Sequence, residues 1–360
     1  MLTGRVSDVG WRALLLAFVT AAPPALGVKI TEFTIPTASS EPRGIVAGPD
    51  GYLYFTEKAA NKIGVMSTAG AFPNEFTVPY MPNTQPYAIT RAGSFLFFTE
   101  YAEGKVSLMT PTGTFLSSYG YFSPLGIVYG EDGRLYVAEQ ANSKVGVTDP
   151  LFTTLAFEAS TTTAAAVPWG IAFSPNLYVY VTEYGANKLA ECPTFHTMTF
   201  TCAELGLTTG GSGPIGAAVA PDGRIWVTEY LGNNIARVTS AGFPQGFVDE
   251  YPIATPNAHP FGIALGPDGN MWFTEENAGK IGRITPTGTI TEYPLPTGNS
   301  GPAGIALGPD GNLYVCESTG IKIAKVQVFL QGDVSGDGIV DVSDVFYLIN
   351  FLFAGGPAPK

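Results

Sequence analysis

The sequence predicts an all-β protein, a seven-bladed β-propeller of four-stranded blades closed by an N-terminal strand, and three observations predict it. A unit of 38 to 46 residues recurs seven times. Each copy opens on Pro-x-Gly (Pro-x-Ala in the second), at Pro42, Pro86, Pro124, Pro168, Pro214, Pro260 and Pro302, and has a Glu closing its second apolar run, at Glu57, Glu100, Glu139, Glu183, Glu229, Glu275 and Glu317. Within a copy the apolar runs are short and punctuated. In the sixth, Gly262 to Leu265, Met271 to Glu275, Lys280 to Ile284 and Thr289 to Tyr293 are separated by turn residues such as Asp268-Gly269 and Pro286-Thr287-Gly288, the pattern of four antiparallel strands. One such sheet cannot bury both faces until neighbours stack around an axis.

Taken in order, residues 1–27 read as a secretory signal peptide: Arg5 and Arg12, an apolar run from Ala13 to Ala22, then small residues at Ala25 and Gly27. The run is too short to span a bilayer, and no other segment could cross one. The expectation is a secreted protein, extracellular or at the cell surface, with a propeller over 28–329 and a separate tail over 330–360. Ile30 to Thr37 (ITEFTIPT) matches Ile290 to Thr297 (ITEYPLPT), a fourth strand without its own unit, while the seventh copy lacks a fourth strand. The first should complete the last and remove exposed sheet edges.

Copies one, three, five, six and seven carry an Asp-Gly turn; the second has Ala92-Gly93 and the fourth Pro175-Asn176. Ser160 to Ala166 (STTTAAA) reads as a low-complexity connector with no assigned task. Cys192 and Cys202 bracket an insertion in the fourth copy and are placed to close it with a disulfide. Cys316 stands where other copies have Thr or Ala, which predicts a buried free thiol.

With 44 Gly and 29 Pro among 360 residues, tight turns are abundant. Only 13% of residues are charged and the net charge is −12, which disfavours nucleic acid and anionic lipid as partners. No Ser-His-Asp set, phosphate loop, dinucleotide fingerprint or zinc motif is visible.

After Val328 the composition changes. Asp333, Ser335, Asp337, Gly338, Asp341 and Asp344 fall at positions 1, 3, 5, 6, 9 and 12 of a calcium loop, with the Ile339 carbonyl as a further ligand. This loop, with the apolar helix behind it, resembles one repeat of a type I dockerin. The resemblance implies a cohesin-like partner or self-association, with Val342 and Ser343 at the specificity positions. Val345 to Phe353 is apolar nearly all round and so needs cover from the propeller, a second copy or a partner.

The propeller resembles the virginiamycin B lyase family in units such as GPDGNMWFTE (Gly266 to Glu275) and GKIGRITPTGTITEYPLP (Gly279 to Pro296). In that family, Mg²⁺ and histidines open a cyclic depsipeptide at its ester by elimination. The resemblance implies a catalytic histidine inside Pro-His-Gly with metal-binding carboxylates nearby. Here the middle residues are Arg43, Tyr87, Leu125, Trp169, Ile215, Phe261 and Ala303, none of them histidine. The chain has two histidines, His196 and His259. The carboxylate two residues before the family's histidine has its counterpart only at Glu41; the second corresponds to Glu275 and Glu317. Because a Glu closes the second strand of all seven copies, a repeated structural task, accepting backbone N–H bonds between blades, is the simpler expectation.

If the Pro-x-Gly residues line one mouth, as the resemblance implies, Arg43, Tyr87, Leu125, Trp169, Ile215 and Phe261 form an aromatic funnel with one cation, suited to a carbohydrate, peptide or protein ligand. The leading expectation is a secreted binding propeller with a calcium-dependent attachment tail. The alternative is a lyase of this family or a lactonase with a rearranged site, using His259, Glu275 and Glu317 with magnesium or calcium at the mouth.

Overall fold

The structure, a computed structural model, describes residues 27–79, 83–152, 157–194, 200–239, 243, 246–329, 342–354 and 356–357. Seven antiparallel sheets follow one another along the chain, and the seven opening prolines each begin a blade's first strand. The first strands neighbour one another in sequence order, and the first strand of blade seven (Pro302–Leu307) neighbours that of blade one (Pro42–Ala47), which closes the ring. The N-terminal strand Gly27–Thr34 pairs with Lys322–Phe329 as the fourth strand of blade seven, as the ITEFTIPT match predicts. The described residues divide into this propeller unit, Val28–Val328, and a second unit to which the helix Val342–Ala354 belongs.

Second strands supply the core. Every residue of Leu53–Glu57, Leu135–Glu139, Ile225–Glu229, Met271–Glu275 and Leu313–Glu317 is buried, because this strand lies between the first and third strands and under the faces of neighbouring blades. Its aromatic residues reach polar partners in the preceding turn. Tyr54, Tyr136 and Tyr314 donate to Asp50, Asp132 and Asp310, and Trp272 Nε1 to Asp268 at 2.9 Å. The Asp of the Asp-Gly turn thus satisfies a buried side chain on the strand it leads into, beyond the hairpin geometry its glycine serves.

In five blades a Thr before the closing Glu stitches neighbouring blades near the axis; blade three has Ala138 there. The Thr274 hydroxyl accepts from Gly262 N–H of its own blade and donates to the Ala303 carbonyl of the next. Thr56, Thr99, Thr182 and Thr228 do the same. The neighbouring glycines let the backbones meet: a Cβ on Gly170 would lie 2.0 Å from the Ile215 carbonyl oxygen, and one on Gly304 2.1 Å from that of Arg43. At the closing seam the hydroxyl is replaced by Cys316, a buried free thiol whose Sγ lies 3.8 Å from the Gly44 carbonyl.

Two expectations are corrected. Thr161 to Ala166 is a regular connector, because Thr163 holds Glu204 and Lys188 as Thr37, Thr209 and Thr297 hold their partners in other blades; its repetition is hidden by replacement of the Asn, Ser and Gly found elsewhere. The insertion in blade four is closed by the Cys192–Cys202 disulfide, but it also sends Phe200–Thr201 to pair in parallel with Phe157–Ser160, giving blade three a fifth strand.

Residues 1–26, and calcium-loop positions Asp333, Ser335, Asp337, Ile339 and Asp341, lie outside the described residues; Asp344 is buried in the first turn of the helix. On that helix Phe346, Ile349, Leu352 and Phe353 are exposed. Among the described residues no helix is long and apolar enough to cross a membrane.

Candidate functional site

The mouth is built by one local device used seven times. In every blade the residue before the opening proline has positive φ, from 49° at Ser123 to 63° at Gly301, including Glu41, Gln85, Val167 and His259. A left-handed conformation costs an L-residue about 1–2 kcal/mol, so something must hold it. The holder is a backbone hydrogen bond from the residue after the closing Glu: Lys58 to Glu41, Tyr101 to Gln85, Gln140 to Ser123, Tyr184 to Val167, Tyr230 to Gly213, Glu276 to His259 and Ser318 to Gly301. A register shift between each opening proline and the residue three positions on then turns the Pro-x-Gly side chain toward the axis. Each blade therefore brings up to three positions to the mouth, all carried at strand ends.

The predicted Pro-x-Gly residues do come together. Arg43, Tyr87, Leu125, Trp169, Ile215 and Phe261 line a cavity of about 430 Å³, and beneath it an apolar channel of about 220 Å³ runs between Ile45, Ile89, Ile127, Ile171 and Ile263. The aromatic residues also pack on one another, edge to face for Tyr87 and Trp169 at 6.4 Å, so packing and lining are the same residues here. The rim residues Lys58, Tyr101, Gln140, Tyr184, Tyr230 and Glu276 escape sequence inspection, yet they line the same cavity. The signal for them is positional: each directly follows a closing Glu.

The charges gather on one side. Arg43 reaches Glu41 at 2.8 Å and, across blade seven, Glu276 at 2.7 Å; Lys58 meets Glu41 at 2.9 Å, and the Tyr230 hydroxyl donates to Glu276 at 3.0 Å. Burial opposes the charge on Arg43, but the oxygens of Tyr87, Glu276 and Glu41 outweigh it and push its pKa up. Burial likewise raises Glu41, and Lys58 and Arg43 more than reverse this. The guanidinium also lies over Phe261, 5.7 Å from the ring centre.

The sequence profile of the virginiamycin B lyase family matches residues 25–142 and 120–336. The chain belongs to the virginiamycin B lyase family. A streptogramin B lyase superposes with a TM-score of 0.75 at 30% identity over 84% of this chain and 98% of that one. The virginiamycin B lyase of Staphylococcus aureus does so with a TM-score of 0.76 at 26% identity over 84% of this chain and 100% of that one; another structure of it is a catalytically inactive histidine-to-alanine variant with quinupristin. A hydrazine synthase of Kuenenia stuttgartiensis, 16% identical with a TM-score of 0.62 over 80% of this chain and 96% of that one, shares the fold alone.

Glu41, Glu275 and Glu317 are the positions that correspond to the family's metal-binding carboxylates. Glu275 and Glu317 are fully buried, line neither mouth cavity, and abut Glu292 and Glu32 of their own blades' fourth strands. Glu57, Glu183 and Glu229 likewise face Glu75, Glu204 and Glu250. Burial pushes the inner acid up, to about 8 at Glu183, Glu229 and Glu275 and about 7 at Glu57 and Glu317, with the facing acid adding to it. Burial also raises the outer acid, but hydrogen bonds from Lys188, Thr162 and Thr163 hold Glu204 down at about 2. Of each pair the inner acid is therefore the one that takes up a proton first as pH falls.

The repeated glutamate is thus structural, with a correction to its expected task. Glu139 does accept a backbone N–H bond, from Phe122 at 3.2 Å, whereas Glu57, Glu183, Glu275 and Glu317 receive none among the described residues; there the outer acids do, from Thr37, Thr163 and Thr297 for Glu75, Glu204 and Glu32. Glu41 is already held by Arg43 and Lys58. Among the described residues no three His, Cys, Asp or Glu converge on one point. His259 does edge the mouth, its ring 4.5 Å from that of Tyr230, in a second cavity beside Glu276.

Proposed function

We propose that the mouth of this propeller binds a compact, peptide-like cyclic molecule with aromatic groups, the class to which the streptogramin B ligands of its relatives belong. One observation carries this: an aromatic arc, Tyr87, Trp169, Tyr184 and Phe261, faces the charged set of Arg43, Lys58 and Glu276 around one cavity of about 430 Å³. An amphipathic ring laid across it would bury its apolar side chains on the arc and meet its amide edge with the charged set. Trp226 and Trp272 are buried in the blades, whereas Trp169 lines the mouth. Tryptophan fluorescence should therefore change saturably on adding quinupristin, and the change should vanish in Trp169→Leu. Absence of any saturable signal, checked by calorimetry, would overturn the reading.

A second reading, ring opening by elimination, is favoured by the family and by His259, Tyr230 and Glu276 on one cavity edge. His259 would take the proton and Arg43 would steady the developing charge. Mass spectrometry of the same mixtures decides: an opened ring of unchanged mass means elimination, one water gained means a lactonase, and an intact ring leaves binding alone.

The tail supports a calcium-dependent attachment device on a secreted protein. Calcium should change the elution volume or the capture of the full chain by a cohesin-like module, and chelator should reverse it. Identical behaviour with and without calcium would count against that role.

A further inference from the structure

We infer that the mouth holds a second, polar compartment built for a neutral, hydroxyl-rich ligand such as a pyranose sugar, separated from the aromatic compartment by the Arg43–Glu276 ion pair. Blade seven is what makes room for it. Where other blades present large side chains to the mouth, this one presents only Gly301 and Ser318, its Pro-x-Gly residue Ala303 being fully buried, and the ion pair from blades one and six bridges over the gap. The gap is fixed by backbone: Gly301 has φ of 63°, and a Cβ there would lie 2.2 Å from the Thr319 hydroxyl oxygen. Behind the pair lies a cavity of about 420 Å³, within the roughly 300–1,000 Å³ usual for small-molecule sites.

The lining selects the ligand class. Its carboxylates are already paired, Glu41 with Arg43 and with Lys58 of the neighbouring compartment and Glu276 with Arg43, so a charged ligand would have to displace an ion pair. Its unused hydrogen-bonding groups are of both kinds. Among the described residues no protein group bonds the ring nitrogens of His259, the side-chain amide of Asn299 or the hydroxyl of Thr319, each of which both donates and accepts. Asn277 spends its Nδ2 on the Asn257 carbonyl and keeps Oδ1, while Glu41 spends Oε1 on Arg43 and Lys58 and keeps Oε2. A hydroxyl is the group that both donates and accepts, and several on one small ring match this alternation. The paired rings of His259 and Tyr230, 4.5 Å apart and tilted by 32°, add a flat wall for the C–H face of a sugar.

The inference rests on the geometry of the mouth and not on the peptide reading of the aromatic compartment, and one experiment separates them. Only two histidines are present, so proton NMR of the untagged full chain shows two imidazoles, and loss of one signal in His259→Gln assigns it. Titrating methyl glycosides of glucose, galactose and mannose up to roughly 100 mM, which covers millimolar affinities, should move the His259 signal saturably for at least one. Thr319→Ala, and Asn299→Gly, which keeps the left-handed backbone at 299, should each weaken that binding about tenfold. No saturable shift with any glycoside, or a shift unaltered in both variants, overturns the inference. Quinupristin binding read by Trp169 fluorescence in the same samples shows separately whether the aromatic compartment works.

Discussion

At the scale of single residues, the Thr hydroxyls that bridge blades divide their bonds between two sheets, so each removal should be felt as lost cohesion of the ring. Thr274→Val keeps the shape and leaves the Gly262 N–H and the Ala303 carbonyl without their partner. We expect a loss of about 1–3 kcal/mol in urea unfolding. Cys316→Thr restores to the closing seam the bridge that five other blades possess, and should gain about 1 kcal/mol. The threonine slot and its cysteine exception are plain in the sequence. The residue after each closing Glu is not, because it varies from Lys58 to Tyr230 to Ser318. Repetition marks what every blade needs to pack, whereas variation at a repeated slot marks what the mouth presents. Glu275 drew attention by recurring, and it is Glu276, which does not recur, that reaches Arg43.

At the scale of elements, each pair of inner and outer glutamates joins second and fourth strands to the connector of the preceding blade. The inner acids have folded pKa values near 7 and 8 against 4.5 when exposed, so the folded chain holds more protons than the unfolded one between these values. Their stabilisation is complete below about pH 4.5 and is lost as pH rises through about 8. The outer acids, lowered at Glu32, Glu75, Glu204, Glu250 and Glu292, work the other way and lose theirs as pH falls below about 4.5. The melting temperature should therefore be lower at about pH 9 than at about pH 6, and Glu275→Gln, which cannot ionise, should flatten that decline while sparing ligand binding. A steeper decline in the variant would refute the proton-sharing account. Reducing the Cys192–Cys202 disulfide, which closes a short loop, should cost about 2–3 kcal/mol without opening the mouth. The proton sharing is not legible in the sequence, which shows Glu275 and Glu292 in one copy but not that the fold sets them face to face.

At the scale of the whole molecule, closure decides stability. The fourth strand of blade seven comes from the other end of the chain, and Glu32 on it accepts from Thr297 N–H at 2.7 Å and from Lys322 at 2.6 Å. Deleting residues 1–37 should leave blade seven with an unpaired edge and the ring open, read as loss of a single cooperative unfolding transition and as aggregation. This architecture was readable from the repeat count and the orphan ITEFTIPT strand. The division of the mouth into two compartments was not, since it depends on a salt bridge between residues 233 positions apart.

Because Gly27 lies beside Phe329 on neighbouring strands, the order in which the seven units are translated is not fixed by their order around the axis. A short linker from residue 329 to residue 27, with new ends cut in any blade connector, would give circular permutants that enclose the same mouth. Cutting between blades five and six would place Glu276 ahead of Arg43, joined to it through blade seven and the linker, and should leave the geometry of the ligand site unchanged.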